Sequence, residues 1–163
     1  MGIRRGAGVE RIEALYRERF EQFARVAAGI TDDDESGRDA VQMAFAIALR
    51  ERASFRGDGP LEGWLWRIVV NEAKHLARRR HTVSLEHVTE PVSNGDEPGD
   101  PLGLRGWISG LPERQRMVLF LRYYGDLDYR AIGEILGIEV GTVSATLTVA
   151  HKKLRKLIRE VER

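Results

Sequence analysis

The chain has no cysteine, which excludes disulfides and cysteine-ligated zinc. It also lacks long apolar runs, and nothing approaches the roughly 20 residues needed to cross a bilayer. The opening residues, Met1-Gly2-Ile3-Arg4-Arg5-Gly6, have no apolar segment behind their arginines, so they do not read as a secretory signal. A cytoplasmic protein is expected. Net charge is close to absent at +1, and so small a total says nothing about partners. Lysine is scarce, 4 residues against 22 arginines, a hint of GC-rich coding DNA without functional content. What is present, 42% hydrophobic and 31% charged residues over 163 positions, fits a soluble helical protein of one domain or two small ones and argues against wholesale disorder.

The charge is segregated. Residues 10–50 are acidic, 64–80 basic, 82–104 acidic with no Lys or Arg, and 151–159 basic again. Two basic stretches separated by an acidic one suggest two nucleic-acid contacts rather than one diffuse patch.

Apolar spacing predicts a helix over 9–28, with Ile12, Leu15, Tyr16, Phe20, Phe23 and Val26 inward. Thr31-Asp32-Asp33-Asp34-Glu35-Ser36-Gly37 then reads as a solvated acidic turn. A bound cation is the alternative, but the alternating ligands and turn glycine of a calcium loop are missing, so no metal is expected. A second helix spans about 38–52 with Val41, Ala44, Phe45, Ala48 and Leu49 inward, leaving Asp39, Gln42, Met43 and Ala46 on another face. Gly59-Pro60 opens a third helix. Leu61, Trp64, Leu65, Ile68, Val69 and Leu76 form its apolar stripe, while Arg67, Asn71, Lys74 and Arg78 recur on a donor-rich face that ends in Arg78-Arg79-Arg80. That face suits a phosphate backbone; a solvated basic face is the plain alternative. Trp64 reads as core. Trp66, off the stripe and beside Arg67, is the better candidate for a base-stacking aromatic, with partial burial as its alternative.

From His81 to Gly106 periodicity stops, and Pro91, Ser93, Asn94, Gly95, Pro98, Gly99, Asp100 and Pro101 mark a linker. A second unit begins near Leu104. Leu111-Pro112-Glu113-Arg114-Gln115 opens a helix that Gly125-Asp126 breaks. Tyr129 to Leu147 fits a helix-turn-helix, with Gly133 at the helix contact, Gly137 where the turn needs positive φ, and Ile132, Leu136, Ile138, Val143 and Leu147 as shared core. A plain helical hairpin is the alternative.

Three segments resemble one family, the small sigma factors of the extracytoplasmic-function type within the sigma-70 family. Asp39-Ala40-Val41-Gln42-Met43-Ala44-Phe45 is similar to the helix that docks on the polymerase clamp. Phe55 to Arg80 resembles the −10 recognition loop and melting helix. Leu111-Pro112-Glu113-Arg114-Gln115-Arg116 through Gly141-Thr142-Val143 to Lys153-Leu154 resembles the domain that reads the −35 element. The resemblance implies an all-α protein of two small helical domains, residues 9–80 and 104–163, joined by a flexible acidic linker over 81–103. It implies core RNA polymerase (clamp and flap), promoter DNA and an anti-sigma factor as partners, with no cofactor, no membrane and no catalysis. It assigns polymerase contacts to Asp39, Gln42, Met43 and Ala46. Phe55, Arg56, Asp58, Trp66, Arg67, Asn71, Lys74, Arg78, Arg79 and Arg80 fall to −10 binding and melting, with the loop Phe55-Arg56-Gly57-Asp58 helping to cage a flipped base.

The sequence departs from the family in two places. Met43 stands where a glutamate usually follows the glutamine. The recognition helix reads Ser144-Ala145-Thr146-Leu147-Thr148-Val149, without the Arg, Asn or Gln needed for a bidentate base contact. Thr142, Ser144, Ala145 and Thr148 can touch thymine methyls or single acceptors, and His151, Lys152 and Lys153 can hold phosphate. Arg122 and Arg130 offer a further route to the −35 element. Rival readings are a stand-alone helix-turn-helix regulator and a sigma-like protein that binds polymerase with little −35 specificity. No nucleophile–base pair, metal cluster or phosphate loop points to an enzyme.

Overall fold

Seven α-helices and no strand make up the described residues, 6–86 and 104–163, of the computed structural model. The first unit contains α1 (Val9–Thr31), α2 (Asp34–Arg50) and α3 (Leu61–Glu86), with a short 3-10 turn at Arg52–Ser54 before α3. Asp33 starts α2 as its N-cap, its carboxylate accepting from the Ser36 amide at 2.8 Å. The helices meet on an aromatic cluster. Tyr16 lies 5.0 Å from Phe45, Phe23 lies 5.4 Å from Phe45, and Trp66 lies 4.3 Å from Phe23, ring centre to ring centre.

The third helix outruns its sequence boundary. It passes the three arginines and reaches Glu86, so residues 81–86 of the expected linker are helical. The remainder, 87–103, lies outside the described residues.

The second unit contains α4 (Leu104–Ser109), α5 (Glu113–Tyr123), α6 (Tyr129–Leu136) and α7 (Val140–Val161). The Asp128 carboxylate caps α6 by accepting from the Ala131 amide at 2.8 Å. Gly137 ends that helix at φ 67°, a left-handed conformation that costs glycine least. The chain then turns through 103° into α7, an angle typical of a helix-turn-helix. Gly133 sits where α6 meets both the turn and α7: a β-carbon there would lie 2.7 Å from the Ile138 carbonyl, 3.7 Å from Cγ2 of Val143 and 3.8 Å from the Val140 nitrogen. Among the described residues no single helix is long and apolar enough to cross a membrane.

The two units pack together, α1 on α5 and α3 on α6. This explains why the last third of α1 is buried almost all round, from Phe23 to Thr31, where sequence spacing predicted one inward stripe. Gly29 lies under the Phe120 ring, with no room for a β-carbon. Polar contacts frame this apolar seam. The Gln22 amide donates to the Gly125 carbonyl at 2.6 Å, Arg105 meets Asp34 at 2.6 Å and the Ala28 carbonyl at 3.2 Å, and Ser109 donates to Asp32 at 3.0 Å.

Candidate nucleic-acid interface and polymerase-docking face

Core packing decides which side of α3 is free. Leu61, Leu65, Trp66, Val69, Val70 and Ala73 are buried, while Trp64, Ile68 and Leu76 are half-buried. The inward arc is therefore rotated by about one position from the stripe read off the sequence, and it includes Trp66. Trp66 is 0% exposed against Phe23, so its expected role as a DNA-facing aromatic is corrected: it is a core residue. The tryptophans exchange roles, since Trp64 lies at the margin with its ring 5.5 Å from Phe55. Phe55 is corrected too. At 9% exposure its ring fastens the loop to α3 and is not displayed to catch a base.

What remains on the free side is polar. Arg56, Gly57 and Asp58 are exposed in the loop, followed along α3 by exposed Arg67, Asn71, Arg78 and Arg79 and half-buried Lys74. Two of the arginines are engaged within the chain. Arg67 donates from Nε and Nη2 to the Glu134 carbonyl at 3.0 and 2.7 Å. Arg80 donates to the Thr31 carbonyl at 3.0 Å and lies 3.6 Å from the Asp33 carboxylate. The two hydrogen bonds from Ser36 to Asp33 hold that carboxyl below its ordinary range, with the Arg80 charge assisting and burial opposing.

The acidic turn, with Asp32 and Glu35 exposed, is thus also a joint between the units. Asp32 meets Ser109, Asp33 caps α2 beside Arg80, and Asp34 pairs with Arg105. Nothing in local sequence announces this, because Ser109 and Arg105 lie more than seventy residues further along the chain.

On the second unit Ser144, Ala145 and Thr148 are exposed on α7, and Thr142 is half-buried at its start. Thr146 gives its hydroxyl proton to the Thr142 carbonyl at 2.7 Å and Thr148 gives its own to the Ser144 carbonyl at 3.0 Å. These hydroxyls are left as acceptors, which narrows further what the helix can read. His151 lies one turn beyond Thr148, 2.6 Å from the hydroxyl of Tyr123, a residue 58% exposed that the sequence reading did not single out. Lys152 and Lys153 are exposed. Arg122 spends a donor on the Leu127 carbonyl at 3.0 Å and stacks over Tyr129, while Arg130 is exposed beside Glu134 at 3.4 Å.

Asp39, Gln42, Met43 and Ala46 all lie on the outer face of α2, with Met43 55% exposed. Gln42 and Ala46 border a groove of about 450 Å³ between α1 and α2 that Ile12, Tyr16, Phe45 and Leu49 also line.

Comparison with known proteins meets this geometry at both units. Residues 15–82 match Sigma-70 region 2 and residues 107–156 match Sigma-70, region 4. Among similar proteins, RNA polymerase sigma factor YlaC of Bacillus subtilis is 29% identical over 89% of this chain and 90% of its own length. The ECF RNA polymerase sigma-E factor of Escherichia coli K12 is 34% identical over 74% of this chain and 75% of its own. Two solved structures share the fold. CnrH in complex with the cytosolic domain of CnrY gives a TM-score of 0.71 at 21% identity, covering 94% of this chain and 91% of that one. The sigma factor RpoE of Bartonella quintana in complex with the anti-sigma factor NepR gives 0.75 at 20% identity, covering 95% and 100%. With region 2 on the unit that carries the basic helix and region 4 on the helix-turn-helix, the chain belongs to the sigma-70 family, as an RNA polymerase sigma factor of the extracytoplasmic-function type.

Proposed function

We propose that the chain docks on core RNA polymerase through Asp39, Gln42, Met43 and Ala46, brings the enzyme to a promoter and melts the −10 region, without catalysing chemistry itself. Residues 9–80 and 104–163 act as the two functional units. The observation that carries this reading is the free side of α3. Exposed donors Asn71, Arg78 and Arg79 run along it after the exposed loop Arg56-Gly57-Asp58, together with Arg67, whose guanidinium rests on the Glu134 carbonyl. Cations for phosphate beside a loop open to extruded bases are what strand separation requires. The helix-turn-helix unit then positions the complex upstream, mainly through phosphate contacts from His151, Lys152 and Lys153. The protein works in the cytoplasm, and the anti-sigma factor NepR bound to the similar RpoE structure supports an anti-sigma factor as its regulator.

A regulator acting without polymerase needs a recognition helix that reads bases unaided, and the committed hydroxyls of Thr146 and Thr148 argue against it. Permanganate footprinting on a cognate promoter tests the proposal. Thymines of the −10 element should react when the chain and core polymerase are both present and with neither alone. Tight, sequence-specific duplex binding by the isolated chain at physiological salt would overturn it.

A further inference from the structure

Helix α7 lies on its neighbours through Val143, Leu147, Ala150 and Leu154, all buried. At about 100° per residue, the side opposite this arc carries Gly141, Ala145, Thr148, Val149 and Lys152, and each of them is exposed. The second helix of a helix-turn-helix turns its outward side to base edges in the major groove. The chemistry of that side decides what the unit can read.

Ahead of Lys152 it holds neither a charge nor a side-chain N–H. Gly141 has no side chain, Ala145 ends in a methyl group, and Val149, 45% exposed, ends in two. Thr148 gives its hydroxyl proton to the Ser144 carbonyl, which leaves it a methyl group and an acceptor. Thr142 and Ser144 flank this strip with one hydroxyl each.

Base edges differ in what such a strip can feel. Guanine, adenine and cytosine show acceptors or amino donors in the major groove, and none of these gains from contact with hydrocarbon. Thymine adds a C5 methyl group, and methyl against methyl removes water from both. Ala145 and Val149 stand at i and i+4, side by side on the helix surface. They are about 6 Å apart along its axis, close to two base-pair steps of about 3.4 Å.

We propose that Ala145 and Val149 form a thymine-methyl reader. Upstream specificity rests on two thymines about two base-pair steps apart, sensed through their C5 methyl groups and not through hydrogen bonds. This rests on the reading of the helix-turn-helix unit as the upstream DNA contact.

Removing the methyl group from the DNA tests it without touching the protein. Holoenzyme made from the full chain and core polymerase is offered a promoter library randomised across the −35 element. One copy of the library contains thymine and the other uracil, which lacks only that methyl group. The thymine library should return two enriched thymines, each favoured about fourfold over uracil, the effect of one buried methyl group. The uracil library should return neither. Val149→Ala, checked for helix content by circular dichroism, should lose the preference at one of the two positions. Val140→Ala should keep both, because that valine, 47% exposed, lies about half a turn round the helix from Val149.

Equal enrichment in the two libraries, or enrichment of bases other than thymine, overturns the proposal. So does a thymine preference that survives Val149→Ala intact or falls with Val140→Ala. Hydroxyl-radical footprinting of the same complexes separates the two readings. Protection at −35 without a thymine–uracil difference sinks the methyl reader alone, whereas absence of protection there removes the upstream contact itself.

Discussion

Trp66 separates a packing role from a DNA role. Its ring is fully enclosed, 4.3 Å from Phe23 in the cluster that joins all three helices of the first unit. Trp66→Ala removes the largest fully buried side chain of the described residues, and truncations of this kind cost about 3–5 kcal/mol through lost transfer energy and the cavity left behind. Domains have only about 5–15 kcal/mol in hand, and each kcal/mol moves the melting point by about 2–4 °C for a packed chain of this length. A fall of about 6 °C or more in the circular-dichroism melt of the full chain follows. Trp66→Phe keeps an aromatic ring against Phe23 and should lose less. A tryptophan displayed to DNA behaves oppositely, since its removal from the surface changes stability by no more than about 0.5 kcal/mol. A melting point within about 3 °C of the unaltered chain, together with collapse of −10 melting, would refute the core assignment.

Other outcomes follow from the same geometry. Asp33→Ala should cost about 1 kcal/mol by uncapping α2. Because the folded carboxyl titrates below its ordinary value of 3.8, the charge-dependent part of that stability is fully present above the unfolded pKa and is lost as pH falls through the folded one. Asp33→Asn should keep most of the cap and lose the pH dependence, as denaturant titrations between about pH 5 and pH 2 will show. Asn71→Ala should leave closed-complex formation intact while lowering permanganate reactivity at the −10 thymines. Gln42→Arg should weaken competition with another sigma factor for core polymerase and shift stability by no more than about 0.5 kcal/mol, since the side chain is exposed. Promoter choice should depend more on −10 than on −35 substitutions, because no side chain at Ser144, Ala145 or Thr148 supplies the bidentate contact that contributes about 1–3 kcal/mol per base; single-base scanning in transcription assays decides it.

The helices and the helix-turn-helix were legible because their signals are local. Apolar spacing, the Asp128 cap and Gly137 with its positive φ act within a few residues of one another. The outer face of α2 was legible for the same reason, since Asp39, Gln42, Met43 and Ala46 fall off the buried set Ala40, Val41, Ala44, Phe45 and Ala48. The exchange between Trp64 and Trp66 was not. Both lie near the edge of the apolar arc, and the side that faces inward depends on where Phe23 of α1 and Phe55 of the loop come to rest. Periodicity gives the width of a buried arc more reliably than its rotation.

Contacts between the units were least legible, and they change what composition means. Arg67 and Arg80 look alike in sequence, yet one caps the end of α6 and the other closes on the turn after α1. The carboxylates Asp32 and Asp34 look solvated until Ser109 and Arg105 are brought beside them. A basic helix face is in this sense a claim on any oxygen of suitable charge, whether main-chain carbonyl, carboxylate or phosphate. In the free chain the first two already answer part of that claim. On the reading proposed for this face, its affinity for DNA is set by the difference between phosphate and those internal partners, not by the number of arginines it displays.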